Sequence, residues 1–133
     1  MAVKLNEIYH CKHCGIIMET VHPGSGAPIC CNEEMSIVKE NTVDASLEKH
    51  VPVIKRYGDI CFVQVGSVLH PMTVEHHIVW VELHLHNRVI RHYFKPGEKP
   101  EAEFNGIGED EKVFVRAFCN IHGLWSSCTD CDK

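Results

Sequence analysis

Apolar and polar residues alternate with period two along the central and C-terminal parts of the chain, the pattern of strands with one buried face. Over residues 78–86, Val79, Val81, Leu83 and Leu85 share one face, and Trp80, Glu82, His84 and His86 the other. Pro52–Tyr57 and Ile60–Val65 flank Gly58-Asp59, a two-residue hairpin connection. Further strands are predicted over 88–94, Glu101–Phe104, 112–119 and 124–127, separated by turn-rich stretches at 95–100 and 105–111. Six or seven short strands with no long amphipathic helix predict an all-β sandwich.

Residues 1–37 follow another logic. Cys11, Cys14, Cys30 and Cys31 bracket a turn-rich run at 22–28 that holds two prolines and two glycines. Fewer than about 40 residues rarely fold on apolar burial alone, so a metal staple is expected. Residues 38–49 read as a linker with at most one helical turn, at 44–49. The expected organisation is a small metal-bound domain over 1–37 followed by a β-sandwich domain over 38–133.

Composition narrows the function classes. The 133 residues are 44% hydrophobic and 23% charged, which supports a packed core and argues against disorder. No apolar run approaches the roughly 18 residues of a membrane span. Residues 1–10 lack the apolar stretch of a signal peptide, so a reducing cytoplasm is the expected location. The net charge is −5 and no block of Lys and Arg occurs, which disfavours nucleic acid or an anionic membrane as partner. The charge is uneven: net −2 over 1–40, +1 over 41–97 and −4 over 98–133.

Eight cysteines and eleven histidines are the chain's chemical surplus. In a reducing compartment, clustered cysteines point first to metal ligation. Cys61, alone inside a strand-like run, reads instead as a small buried apolar residue. Cys11-Lys12-His13-Cys14 is a C-x-x-C knuckle, and Cys30-Cys31 offers a second thiolate pair to complete a tetrahedron. The spacing does not choose between zinc and iron, and a disulfide framework or a redox C-x-x-C is the competing reading. Two adjacent ligands should distort the tetrahedron. His10 and His13 read as bystanders.

Downstream stand His50, His70-Pro71-Met72, His76-His77 and Cys119-Asn120-Ile121-His122. A short C-x-x-H loop at a strand end can place both side chains on one metal. His70 and His76 lie six apart across the loop that enters the strand at Ile78. His84 and His86 share a face with Glu82 and read as polar surface. His22 and His92 have no partner in the sequence.

Glu48-Lys49-His50, His70-Pro71-Met72 with His76, and Cys119-Asn120-Ile121-His122-Gly123-Leu124-Trp125 together resemble the superoxide reductases. The four N-terminal cysteines resemble the desulforedoxin-like domain of that family's two-iron members, the desulfoferrodoxins. The resemblance spans residues 5–125. It implies an immunoglobulin-like β-sandwich, usually a homodimer, and two iron ions per chain. One is held by Cys11, Cys14, Cys30 and Cys31. The other is held by His50, His70, His76 and His122, with Cys119 as axial thiolate and one position open.

The implied activity is one-electron reduction of superoxide to hydrogen peroxide, with re-reduction by a rubredoxin-like donor. Ferrous iron with one thiolate keeps a net positive charge, which draws a small anion, and the sulfur opposite pushes electron density toward it. Lys49 is implied to attract superoxide and orient a proton-donating water. Glu48 is implied to bind the oxidised iron and leave on reduction. His77 stands where the family suggests an aromatic, and reads as a rim residue.

Cys128 and Cys131 form a second C-x-x-C that the resemblance does not cover. A disordered thiol pair or a reversible disulfide is favoured there over an extra metal site. Two rival functions remain: a small non-haem iron electron-transfer protein without catalysis, and a zinc-stabilised binding module.

Overall fold

A computed structural model describes residues 2–42 and 49–129. The helical turn expected at 44–49 falls almost wholly outside them, as do Glu48 and Cys131. The described residues form thirteen strands and no helix. They divide into two compact units, Met1–Lys39 and Glu40–Lys133.

The first unit holds β1 (Ile8–His10), β2 (Ile17–Glu19), β3 (Ile29–Cys30), β4 (Glu33–Glu34) and β5 (Ser36–Ile37). Strand β1 lies between β2 and β5, and β3 pairs with β4 in a separate hairpin. Few apolar side chains of the unit are buried: Tyr9, Cys11 and Met35 cluster, with Val3 and Cys30 packed against them, and Ile8 of β1 is buried as well. So little apolar burial matches the expectation that metal must hold this unit together.

The second unit contains β6 (Glu40–Asn41), β7 (Pro52–Tyr57), β8 (Ile60–Val65), β9 (Ile78–His84), β10 (Val89–Tyr93), β11 (Glu101–Phe104), β12 (Phe114–Cys119) and β13 (Gly123–Cys128). One sheet has the order β10-β9-β12-β13-β6 and the other β11-β8-β7. All pairings in them are antiparallel except β13 with β6. Strands β7 to β13 came where the sequence predicted them, within about two residues at each end, a normal tolerance for strand limits, whereas β6 falls in the stretch read as a linker.

The apolar faces meet between the sheets, with Val63 and Val65 of β8, Val81 and Leu83 of β9, and Val115 and Ala117 of β12 fully buried. This is the immunoglobulin-like sandwich that the sequence implied. Cys61 is buried in the same cluster, and burial pushes its thiol pKa up, as befits an apolar filler.

The outer face of β9 departs from the expectation. Glu82 is fully buried. Its carboxylate accepts from Arg116 Nε at 2.6 Å and from Arg91 Nε at 2.8 Å, and pairs with His84 Nε2 at 2.6 Å. Arg116 also reaches Glu40 at 3.4 Å. Cations on both flanking strands neutralise the acid where alternation alone assigns it to water.

Candidate metal centres

The first centre grows from the knuckle at Cys11 to Cys14. The Cys11 carbonyl accepts the Gly15 N–H at 2.8 Å, and the Cys11 N–H returns to the Ile16 carbonyl at 3.0 Å. Gly15 adopts φ +85°, which a side chain would disfavour. That turn leaves both thiols on one side. Cys31 and Asn32, at φ +54° and +63°, are two consecutive left-handed residues without glycine. This local twist is how an adjacent cysteine pair faces one point, and it answers the distortion expected from the sequence.

The result is four sulfurs within 4.8 Å of one another. Cys14 Sγ is 3.6 Å from Cys30 Sγ, which is 3.9 Å from Cys31 Sγ. A tetrahedral ion with bonds of about 2.3 Å spaces its sulfurs by roughly 3.8 Å, so the four thiols fit such an ion. Backbone N–H donation from Cys14 lowers the Cys11 pKa to about 6, against the upward pull of burial. Hydrogen bonds with the Cys11 and Cys14 thiols push Cys30 up to about 12. His13 pairs with Glu33 and takes no part in the cluster.

The second centre is assembled at one end of the sandwich. His50 precedes β7, His70 and His76 stand in the connection from β8 to β9, Cys119 ends β12 and His122 ends the turn into β13. The four imidazoles form a near square. Neighbouring ring centroids are separated by 4.7 Å (His50–His70), 4.6 Å (His70–His76), 5.0 Å (His76–His122) and 4.8 Å (His122–His50). The His50–His76 diagonal is 6.4 Å. Half of it, about 3.2 Å, suits a central ion with metal–nitrogen bonds of about 2.1 Å. The donor atoms of His50, His76, Cys119 and His122 lie within 4.8 Å of one another.

Hydrogen bonds decide which nitrogens face inward. His70 Nδ1 donates to the Pro71 carbonyl at 2.7 Å, which fixes its tautomer and leaves Nε2 a lone pair. Nε2 of His70 and of His76 are buried without a protein hydrogen-bond partner. Buried polar nitrogens are ordinarily paired, so these two call for a ligand that is not protein. His122 presents Nδ1, which is 3.1 Å from His50 Nε2 and 3.8 Å from Cys119 Sγ. Burial lowers the His70 pKa to about 4, and burial also lowers that of His76, with the Lys49 ammonium adding to the effect. Both rings therefore stay neutral at ordinary pH, the form that binds metal. A neutral imidazole square with one thiolate suits iron.

Lys49 is half-buried, and its charge is felt at His76. Glu48 lies outside the described residues. His77 is tied away from the square, its Nδ1 bonded to the Thr73 carbonyl at 3.0 Å. Cys128 is disulfide-bonded, whereas the other six described cysteines are free.

Three supporting residues escaped the sequence reading. Trp125 stacks on His50. Asn120 clasps the neighbouring loop: its Oδ1 accepts the His77 N–H at 2.9 Å and its Nδ2 donates to the Glu75 carbonyl at 3.0 Å. Gly66 fits where no side chain has room, beside the backbone of Lys49. Asn120 and Trp125 stand inside the motif from Cys119 to Trp125, but their spacing does not encode what they touch.

Two family models match the chain: "Desulfoferrodoxin, N-terminal domain" over residues 4–38 and "Desulfoferrodoxin" over residues 42–128. A desulfoferrodoxin of Syntrophotalea carbinolica is 50% identical over 127 residues, covering 96% of this chain and 98% of its own. A superoxide reductase of Pyrococcus horikoshii is 38% identical over 97 residues, 60% of this chain and 84% of its own. The crystal structure of the superoxide reductase from Treponema pallidum superposes with a TM-score of 0.75 at 32% identity, covering 91% of this chain and 96% of that one.

Proposed function

The chain belongs to the desulfoferrodoxin family, and on that footing we propose that it is a superoxide reductase with two iron ions. The observation that carries the reading is the imidazole square of His50, His70, His76 and His122 with the Cys119 sulfur beside it. These five side chains would hold the catalytic iron, and Cys11, Cys14, Cys30 and Cys31 the other. When bound, the catalytic iron supplies the single electron that superoxide needs.

The protein's own groups prepare that step. The neutral imidazoles carry no charge to cancel the metal's, so the centre attracts an anion. The Lys49 ammonium at its edge adds to the attraction. Conversion of one superoxide to hydrogen peroxide consumes one electron and two protons, and we assign to Lys49 the orientation of a water that delivers a proton. Glu48, next in sequence, would supply a hard carboxylate ligand to the oxidised iron. The N–H of His122 donates to Cys119 Sγ at 3.4 Å and tempers the charge on the sulfur.

Several further features complete the proposal. The chain works as a homodimer in the cytoplasm, with a metal domain over 1–37 and a catalytic domain over 38–133. A rubredoxin-like protein returns the electron. No helix of the described residues is long and apolar enough to cross a membrane.

The test is to mix the reduced, two-iron protein with a pulse of superoxide and count products. A reductase yields one hydrogen peroxide per superoxide and leaves the protein oxidised by one electron. A dismutase yields one per two superoxides, and an electron carrier reacts slowly or not at all. Either of the latter results removes the reading, as would two zinc ions in place of iron.

A further inference from the structure

The Trp125 indole lies against His50 with ring centroids 4.6 Å apart and planes 19° from parallel. Its Nε1–H donates to the His122 carbonyl at 3.1 Å. The His122 N–H donates in turn to Cys119 Sγ at 3.4 Å. One buried side chain of β13 thus touches two of the five proposed donor residues, which come from chain segments 72 residues apart, and reaches a third, Cys119, through the His122 backbone.

We propose that Trp125 is a positioning residue of the catalytic centre: it sets the plane of the His50 imidazole by stacking, and holds the Cys119-to-His122 turn so that the N–H···S bond stays made. This deepens the functional reading above and rests on it.

Stacking leaves His50 little freedom to tilt, since one face of the buried ring lies against the indole while His70 and His122 meet it edge-on. The carbonyl bond acts on the other side of the square. With Nε1 bound to it, the His122–Gly123 peptide is held in place, and through the His122 Cα this restrains the preceding Ile121–His122 peptide, whose N–H points at the sulfur. A hydrogen bond to a metal-bound thiolate withdraws charge from it and raises the potential of the metal. Without that bond the sulfur gives up its electrons more easily, so the thiolate-to-metal absorption of the oxidised protein moves to longer wavelength and the potential falls.

Two variants separate the effects. Trp125→Phe keeps a stacking ring and loses the donor. Trp125→Leu loses both. The full-length, two-iron protein is oxidised and its visible spectrum recorded, and the rate of iron loss to a chelator is followed. Trp125→Phe should shift the thiolate band of the histidine centre to longer wavelength at a near wild-type rate of iron loss. Trp125→Leu should show the shift and also lose that iron roughly 10-fold to 100-fold faster, the usual cost of removing a supporting partner. The bands of the four-cysteine centre should not move in either.

If Trp125→Leu fails to fold, the Trp125→Phe spectrum decides alone. Wild-type spectra and chelator rates in both variants would overturn the proposal and leave the functional reading intact. A wild-type chain that holds only the four-cysteine iron would overturn both.

Discussion

A β-carbon on Gly66 would come to 2.5 Å from the backbone oxygen of Lys49. The same atom would meet the Val68 oxygen at 2.5 Å, and Gly66 itself holds φ +86°. Its N–H donates to the Val51 carbonyl at 3.2 Å. Here the segment carrying Lys49 and His50 crosses the one leading to His70, and glycine alone permits the approach. Gly66→Ala should therefore destabilise the protein by about 1–3 kcal/mol from backbone strain. It should also slow the reaction with superoxide, because Lys49 must move. Thermal denaturation and rapid-mixing rates check both. A variant with wild-type rate and midpoint would mean that the crossing is more compliant than its geometry states.

Lys49 itself is predicted to act on capture, not on metal retention. In Lys49→Ile the second-order rate with superoxide should fall by about 10-fold or more, the lower end of electrostatic focusing by a charged mouth. Both irons should remain bound. The salt dependence is the sharper measurement. The wild-type rate should drop as ionic strength rises, and the variant's should be nearly flat. Equal slopes would assign the steering to other charges.

The two centres differ in how much of them the sequence disclosed. The cysteine knuckle was legible as a ligand pair because few residue types can serve and its spacing is short and local, whereas the histidines, spread over 72 residues, were joined into one set only by the family resemblance. Pro52–Tyr57 and Ile60–Val65 were legible because alternation survives wherever one face is buried and the other wet. Strand β6 was not, since two residues in parallel register with β13 carry no periodic signal. Glu82 was read as surface because alternation speaks of hydrophobicity and says nothing of the cations on β10 and β12 that meet it. The stack of Trp125 on His50 joins residues far apart in sequence. No local pattern encodes such a contact, and only the fold brings it about.

The four-cysteine centre should be separable from catalysis. Cys14→Ser removes one of four sulfurs from a unit with few buried apolar side chains, among them Ile8, Tyr9, Cys11 and Met35. Metal binding there supplies folding free energy. The variant should lose the visible bands of that iron and show an early melting phase confined to the first unit. The rate of the histidine centre with superoxide should stay at the wild-type value, because Met1–Lys39 and Glu40–Lys133 are separate compact units. Parallel loss of both irons would show that the units fold as one.

Glu82 makes the clearest pH prediction. Burial pushes its pKa up, but hydrogen bonds and charge from His84, Arg116 and Arg91 more than offset this and bring it to about 2, against an ordinary 4.5. A carboxylate whose folded pKa is depressed stabilises the fold at any pH above its unfolded value. That stabilisation drains away as pH falls from about 4.5 toward about 2, and the shift corresponds to roughly 3 kcal/mol. Glu82→Gln removes the charge at every pH while keeping the shape. It should cost about 3–5 kcal/mol at neutral pH, because two arginines are left beside a neutral group. The gap between variant and wild type should then narrow steadily below pH 4.5 and close near pH 2, where the natural acid is itself protonated. Denaturant midpoints of both proteins across that range measure it directly. A gap that stays constant with pH would mean the loss comes from packing and that the carboxylate charge contributes little.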